Sequence, residues 1–250
     1  YESHGDNRYI RGVPVLYQEM VDKGSCGTIP IGCGPVVIAE LALFYDELGY
    51  KDLSDGYMSG SKIKWLNMVR DIHNDHVDAR CFPGEGVTWV HPSKLERGIE
   101  NYFNHQGYFP RVRHYKYKEK DETTALNKIK NEIKAGRPVV LGYDSKNKKG
   151  IGSGGKGFFE SLSIDHYGLI SGYKRNIIFV NTGWGAGDNE WYYWNIGKGN
   201  VHLYTVKMNS RKKSSTKWCL HDGLQATYLQ NSSDTGYTFE KSSFDDNLIS

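Results

Sequence analysis

The chain has 250 residues, 38% of them hydrophobic, which suits one domain with a sizeable core, or one such domain with an appendage. Its formal net charge of +3 is too small to point to nucleic acid. No apolar stretch is long enough to span a membrane. Tyrosine is unusually frequent, at 18 residues against 9 phenylalanines, which predicts part-buried rings with solvated or hydrogen-bonded hydroxyls. The chain opens on Tyr1 rather than Met and shows no signal peptide, as expected of a mature form whose targeting or pro-segments have been removed.

In chain order, residues 1–12 read as extended or loose, 13–18 as a short apolar segment ending at Gln18, and 21–32 as a loop. Pro35 fits the first turn of a helix over 35–48, closed near Gly49, whose continuous apolar character predicts burial. A turn region covers 51–60. Ser61 is placed to cap a helix running to about Asn74. Residues 77–91 read as a surface excursion. Pro92 opens a helix to His105 that Gly107 ends, a strand follows over 112–117, and a helix capped by Asp121 or Thr123 runs through Ala135 to Gly136.

A buried strand is predicted over 138–143. The glycine- and lysine-rich residues 144–157 lack the Gly-Lys-Ser/Thr of a phosphate-binding loop and read as a surface loop. Strands follow over 166–173 and 176–181, joined by a tight turn at Lys174-Arg175, and then over 190–194 and 201–206. Helices first and antiparallel strands later make the fold class α+β. A body of residues 1–206 is thus followed by an extension, 207–250, of which 218–229 is apolar enough to dock and 230–250 reads as a removable tail. The tail holds the glycosylation sequon Asn231-Ser232-Ser233.

Cys33 stands at the start of the predicted buried helix, between Gly32 and Gly34. Unpaired amide N–H groups and the positive dipole end favour a thiolate there, and the flanking glycines admit a substrate carbonyl. A buried structural cysteine is the competing reading. His166 begins one apolar strand and Asn181 ends the next. A regular hairpin would set the two side by side, giving a thiol a base and the base an orienting group. Asp165 is an alternative orienter, although its side chain points to the opposite face from that of His166. Gln18 and the Cys33 N–H are candidate oxyanion donors. The cysteines show no zinc-finger spacing, and His73 and His76 share a helix face that offers only a weak metal hint. With Cys33 as a free nucleophile, Cys26, Cys81 and Cys219 leave room for one disulfide; Cys219 with Cys81 is one such pair in an oxidising compartment.

Gly32-Cys33-Gly34-Pro35 before an apolar helix resembles the nucleophile motif of papain-like cysteine peptidases, especially the C39-like (bacteriocin-processing) and streptopain-like branches. His166-Tyr167-Gly168-Leu169-Ile170-Ser171-Gly172-Tyr173 is similar to their His-strand, and Phe179-Val180-Asn181-Thr182-Gly183-Trp184-Gly185 to the Asn and Trp-Gly segment. The motifs span about residues 13–206. The resemblance implies a papain-like fold with Cys33 as nucleophile, His166 as general base and acid, Asn181 as orienter and Gln18 as oxyanion donor. Trp184 would shield the His–Asn bond, and Gly32, Gly34, Asp165 and Trp184 would border the cleft. It further implies no cofactor or metal, a protein or peptide substrate, a removed pro-segment or a proteinaceous inhibitor as a further partner, and export from the cell. Two alternatives use the same residues. One is a Cys-dependent amidase, cell-wall peptide hydrolase or transglutaminase-like transferase. The other is a non-catalytic binding protein that contacts its partner through tyrosines and the 207–250 extension.

Overall fold

The element at the centre of the molecule is helix α1 (Cys33–Glu47), in which every residue from Gly34 to Tyr45 is buried. A helix apolar around its whole circumference has no solvent face to offer, so it is covered on all sides. Its C-terminus closes in a Schellman motif: Gly49, at φ 95°, donates to Asp46 O and Tyr50 donates to Tyr45 O. The computed structural model describes residues 6–22, 26–54, 62–81, 88–143, 166–184, 189–196 and 200–209. Among them, four α-helices pack with one seven-stranded antiparallel sheet in an α+β arrangement.

The sheet contains β1 (Asn7–Tyr9), β6 (Arg111–Lys118), β7 (Val139–Tyr143), β8 (His166–Lys174), β9 (Ile177–Asn181), β10 (Glu190–Tyr193) and β11 (Asn200–Lys207). Its order is β10-β9-β8-β7-β11-β6, with β1 pairing onto β8 beside this path. Helices α2 (Lys62–Asp71) and α3 (Pro92–His105) pack on α1, and α4 (Glu122–Lys134) lies against β8 and β7. Two small hairpins, β2 (Met20–Asp22) with β3 (Thr28–Pro30) and β4 (Ala79–Cys81) with β5 (Thr88–Val90), flank the start of α1.

Tyrosine hydroxyls stitch these layers together. Tyr45 donates to Val206 O (2.8 Å) and Tyr102 to Leu53 O (2.7 Å). Tyr167 donates to Val90 O and Tyr204 to Pro92 O, both at 2.9 Å. Buried phenols keep their protons here: burial pushes the Tyr45 and Tyr204 hydroxyls up from their ordinary range.

Several local expectations are corrected by tertiary pairing. Residues 7–9, expected extended or loose, are extended as β1, in which Arg8 and Tyr9 pair with Tyr173 and Gly172. The helix expected to run to Asn74 changes at Ile72 into a π-helical turn (Ile72–His76). The surface excursion at 77–91 contains the β4–β5 hairpin, and Cys81 is bonded to Cys26 across 55 residues. That bond excludes the Cys219–Cys81 pair and ties the loop before Cys33 to the β4 strand. The turn after β8 is carried by Arg175, at φ 55°, and Asn176 rather than by Lys174-Arg175. The loop at 144–165, including Asp165, and the segments 218–229 and 230–250 lie outside the described residues.

Candidate active site

Cys33 opens α1 behind Gly32, whose φ of 107° is disfavoured for residues with a side chain and whose missing Cβ leaves room for Thr88. The first turn has no side-chain cap and no acidic residue, so its amides keep their positive end towards the thiol. Cys33 is the free cysteine among the described residues and is half-buried. Its Sγ accepts a hydrogen bond from Tyr167 N at 3.3 Å. The start of α1 therefore meets the start of β8, one residue beyond His166. At Gly34 a Cβ would come within 2.8 Å of Val90, which wedges β5 against the helix start.

His166 is 4% exposed. Trp184 stacks on its ring (5.6 Å between centroids, 11° between planes), and Tyr143 meets it edge-on at 5.5 Å. The ring's Nε2 lies at hydrogen-bond distance from Thr182 O. A carbonyl only accepts, so this contact assigns the Nε2 proton and leaves Nδ1 as the acceptor in the neutral ring. Trp184 is itself 50% exposed, which puts an indole between this contact and solvent.

The hairpin that holds these groups is not regular. Leu169 pairs with Asn181 and Ile170 with Val180, but Gly172 pairs with Phe179, with a bulge between Ile170 and Gly172. Extending the pairing from Leu169 sets His166 beyond Asn181 along β9, and its ring meets the backbone of the next residue. Asn181, fully buried, directs its amide to the 13–18 segment: Nδ2 donates to Pro14 O at 3.1 Å, while Oδ1 is buried with no hydrogen-bond partner among the described residues. Thr182, through its carbonyl, is a contact that sequence reasoning missed, since a backbone atom leaves no signature in side-chain identity.

Gln18 enters from the segment before β2. Its N–H donates to Gly183 O (2.8 Å), and Tyr17 bridges to Trp184. Its side-chain Nε2 is buried and has no acceptor among the described residues, in the segment tied to the Asn181–Trp184 stretch. His73, grouped with His76 as a weak metal hint, has a structural contact instead: its Nδ1 lies 2.9 Å from Ile31 O, two residues before the thiol. His76 packs against Tyr102 and His105.

A second pair of histidines lies farther along the sheet. His114 Nε2 and His202 Nδ1 are 2.7 Å apart, and the His202 Nε2 is buried with no partner among the described residues. Burial, then His114, Lys116 and His91, push the His202 imidazolium from 6.5 down to about 3. His114 is lowered too, by burial, against the opposing pull of Glu96. Between about 3 and 6.5 the unfolded chain binds a proton at His202 that the folded chain does not. Stability is therefore full above 6.5 and falls as the pH is lowered through this window. Thermal melts from pH 7 to pH 4 should show this loss, and His202→Leu should make the slope shallower. Parallel slopes for the two proteins would contradict the assignment.

The fold superposes on active wild-type interpain A cysteine protease of Prevotella intermedia over 80% of this chain and 94% of that one, with a TM-score of 0.53 and 12% sequence identity. A fragment of prointerpain A from the same organism gives the same TM-score and identity, over 80% of this chain and 72% of that one. At this identity the likeness is one of fold, and the chain has the papain-like cysteine-peptidase fold that its motif order implied. No protein-family model and no curated protein sequence matches the chain.

Proposed function

We propose that this protein is a cysteine endopeptidase that cleaves peptide bonds through an acyl-enzyme on Cys33. The observation that carries the reading is the junction at the thiol: a free cysteine at a helix start, hydrogen-bonded by the residue that follows a buried, oriented histidine. His166 takes the thiol proton at Nδ1, and the Cys33 thiolate attacks the scissile carbonyl carbon. The carbonyl π pair moves onto oxygen, where the Gln18 side-chain N–H and the Cys33 backbone N–H stabilise it. Collapse breaks the C–N bond, and the imidazolium gives its proton to the departing amine. A water molecule, deprotonated by His166, then attacks the thioester and releases the carboxylic acid, restoring the thiol.

In this reading Thr182 O and Trp184 hold the imidazole in the required tautomer and plane. Asn181 acts beside them, through its neighbour Thr182 and through Pro14. Gly32 and Gly34 flank the thiol at the cleft border, and their missing side chains let Thr88 and Val90 pack close to the helix start. Asp165 is left to the cleft border. Residues 1–206 form the catalytic unit, and a removed pro-segment or a proteinaceous inhibitor would fill the same cleft as the substrate. The Cys26–Cys81 bond favours an oxidising, extracytoplasmic compartment for the folded protein.

The test is selective alkylation. Near neutral pH, iodoacetamide should modify Cys33 at least about tenfold faster than Cys219, as expected of a nucleophile with a general base beside it. His166→Ala should abolish that advantage. Equal rates at the two cysteines in the folded protein, read by peptide mass spectrometry, would remove the reading and favour a binding protein on the same scaffold.

A further inference from the structure

The segment carrying Gln18 is held at three alternate residues. Pro14 O accepts from Asn181 Nδ2 (3.1 Å), Leu16 N–H donates to Glu40 Oε1 (3.0 Å), and Gln18 N–H donates to Gly183 O (2.8 Å). Two of these holds come from the Asn181–Trp184 side. The third comes from α1 itself, and its residue is out of character. Glu40 is 1% exposed in the middle of a helix whose neighbouring residues are apolar. Burial drives its pKa well above the ordinary carboxylate range, against the opposing effect of the Leu16 N–H. A leucine would fill this position without desolvating a carboxyl group, so packing alone does not account for Glu40.

Its position along the helix offers an account. Glu40 follows Cys33 by seven residues, two helical turns, on the same face. The helix that presents the nucleophile thus also grips the strap that presents the oxyanion donor. We propose that Glu40 is a positioning residue for the oxyanion site: by accepting the Leu16 N–H it locks the 13–18 strap to α1 and sets the Gln18 amide in register with Cys33. This rests on Gln18 being the oxyanion donor. It makes α1 a common ruler for two groups that must converge on one carbonyl, where misplacement of the order of an ångström can cost about a hundredfold in rate.

The experiment is a double-mutant cycle on cleavage of a peptide substrate, with kcat and KM measured separately. Glu40→Leu should lower kcat at least about tenfold with KM changed less than about twofold, since the strap contacts the developing oxyanion rather than the ground state. Glu40→Gln, which keeps a carbonyl oxygen for Leu16, should restore most of the turnover. In a Gln18→Ala background the Glu40→Leu change should cost no more than about twofold further. If Gln18→Ala turns over like the wild type, the oxyanion reading itself is wrong. If Gln18→Ala is impaired and Glu40→Leu multiplies the loss equally in both backgrounds, the oxyanion reading stands and the positioning role is overturned.

Should Glu40→Leu not fold, Glu40→Met keeps the stem length and takes its place. Amide hydrogen exchange then supplies a readout that needs no turnover. Glu40→Met should speed exchange at Leu16 and Gln18 while leaving the amides of α1 protected. Unchanged exchange in the strap would overturn the proposal.

Discussion

Cys33→Ala should reduce peptide cleavage to background, a fall of at least about a thousandfold in kcat, and His166→Ala should do nearly the same. In the proposed mechanism the two groups act as a unit in bond making and proton transfer. Their losses should therefore not add, and the double variant should be no worse than either single one. Asn181→Ala should be milder. The imidazole retains the Thr182 carbonyl and the Trp184 stack when the Asn181 amide is gone, while the strap loses its hold at Pro14. A residual activity about ten- to a hundredfold below wild type is expected for it. Steady-state assays on the three variants, with circular dichroism to verify folding, check the order. Full activity in Asn181→Ala would give the orienting role to Thr182 and Trp184 alone.

Gly168→Ala should be the most damaging single methyl addition in the sheet. A Cβ at this position would sit 2.7 Å from Val180 Cγ1 and 2.8 Å from Asn181 O. The side chain could turn away, but the carbonyl belongs to the β8–β9 ladder and cannot move without breaking it. Overpacking of this kind typically costs about 1–3 kcal/mol, and the backbone clash puts Gly168→Ala at the upper end. For a chain of this size that is a fall of about 6–12 °C in Tm. Cleavage should fall with it, because the displaced strand end carries Asn181 and Thr182. A scanning thermal melt checks this, and an unchanged Tm would mean that the two strands separate here more easily than their packing implies.

Much of this arrangement is legible in the amino-acid order, for reasons that are local. Pro92 and Gly107 bracket α3, and the structure gives Pro92–His105. Pro35 and Gly49 bracket α1, whose observed start lies two residues earlier, at Cys33 itself, because Gly32 supplies the break in φ. What the order of residues does not carry is pairing between distant segments. β1 exists only because β8 offers it an edge, and the Cys26–Cys81 bond depends on the β2–β3 and β4–β5 hairpins flanking the same helix start. Sequence places His166 and Asn181 at the facing ends of neighbouring strands but does not say which atom the ring meets; in the folded ladder it is Leu169 that pairs with Asn181, and the His166 ring meets the Thr182 carbonyl. Glu40 was hidden for a similar reason. In sequence it is one charged residue in an apolar helix, and its meaning comes only from Leu16 lying across it.

The central claim is that Cys33 and His166 hydrolyse a peptide bond, and product analysis tests it most directly. A peptide library is incubated with the folded protein, with Cys33→Ala and with His166→Ala, and the products are sequenced by mass spectrometry. The account predicts pairs of fragments with a new free carboxylate and a new free amine, formed by the wild type and absent with both variants. Cleavage that persists undiminished in Cys33→Ala, or products that carry a transferred acyl group or have only lost a side-chain amide, would contradict it.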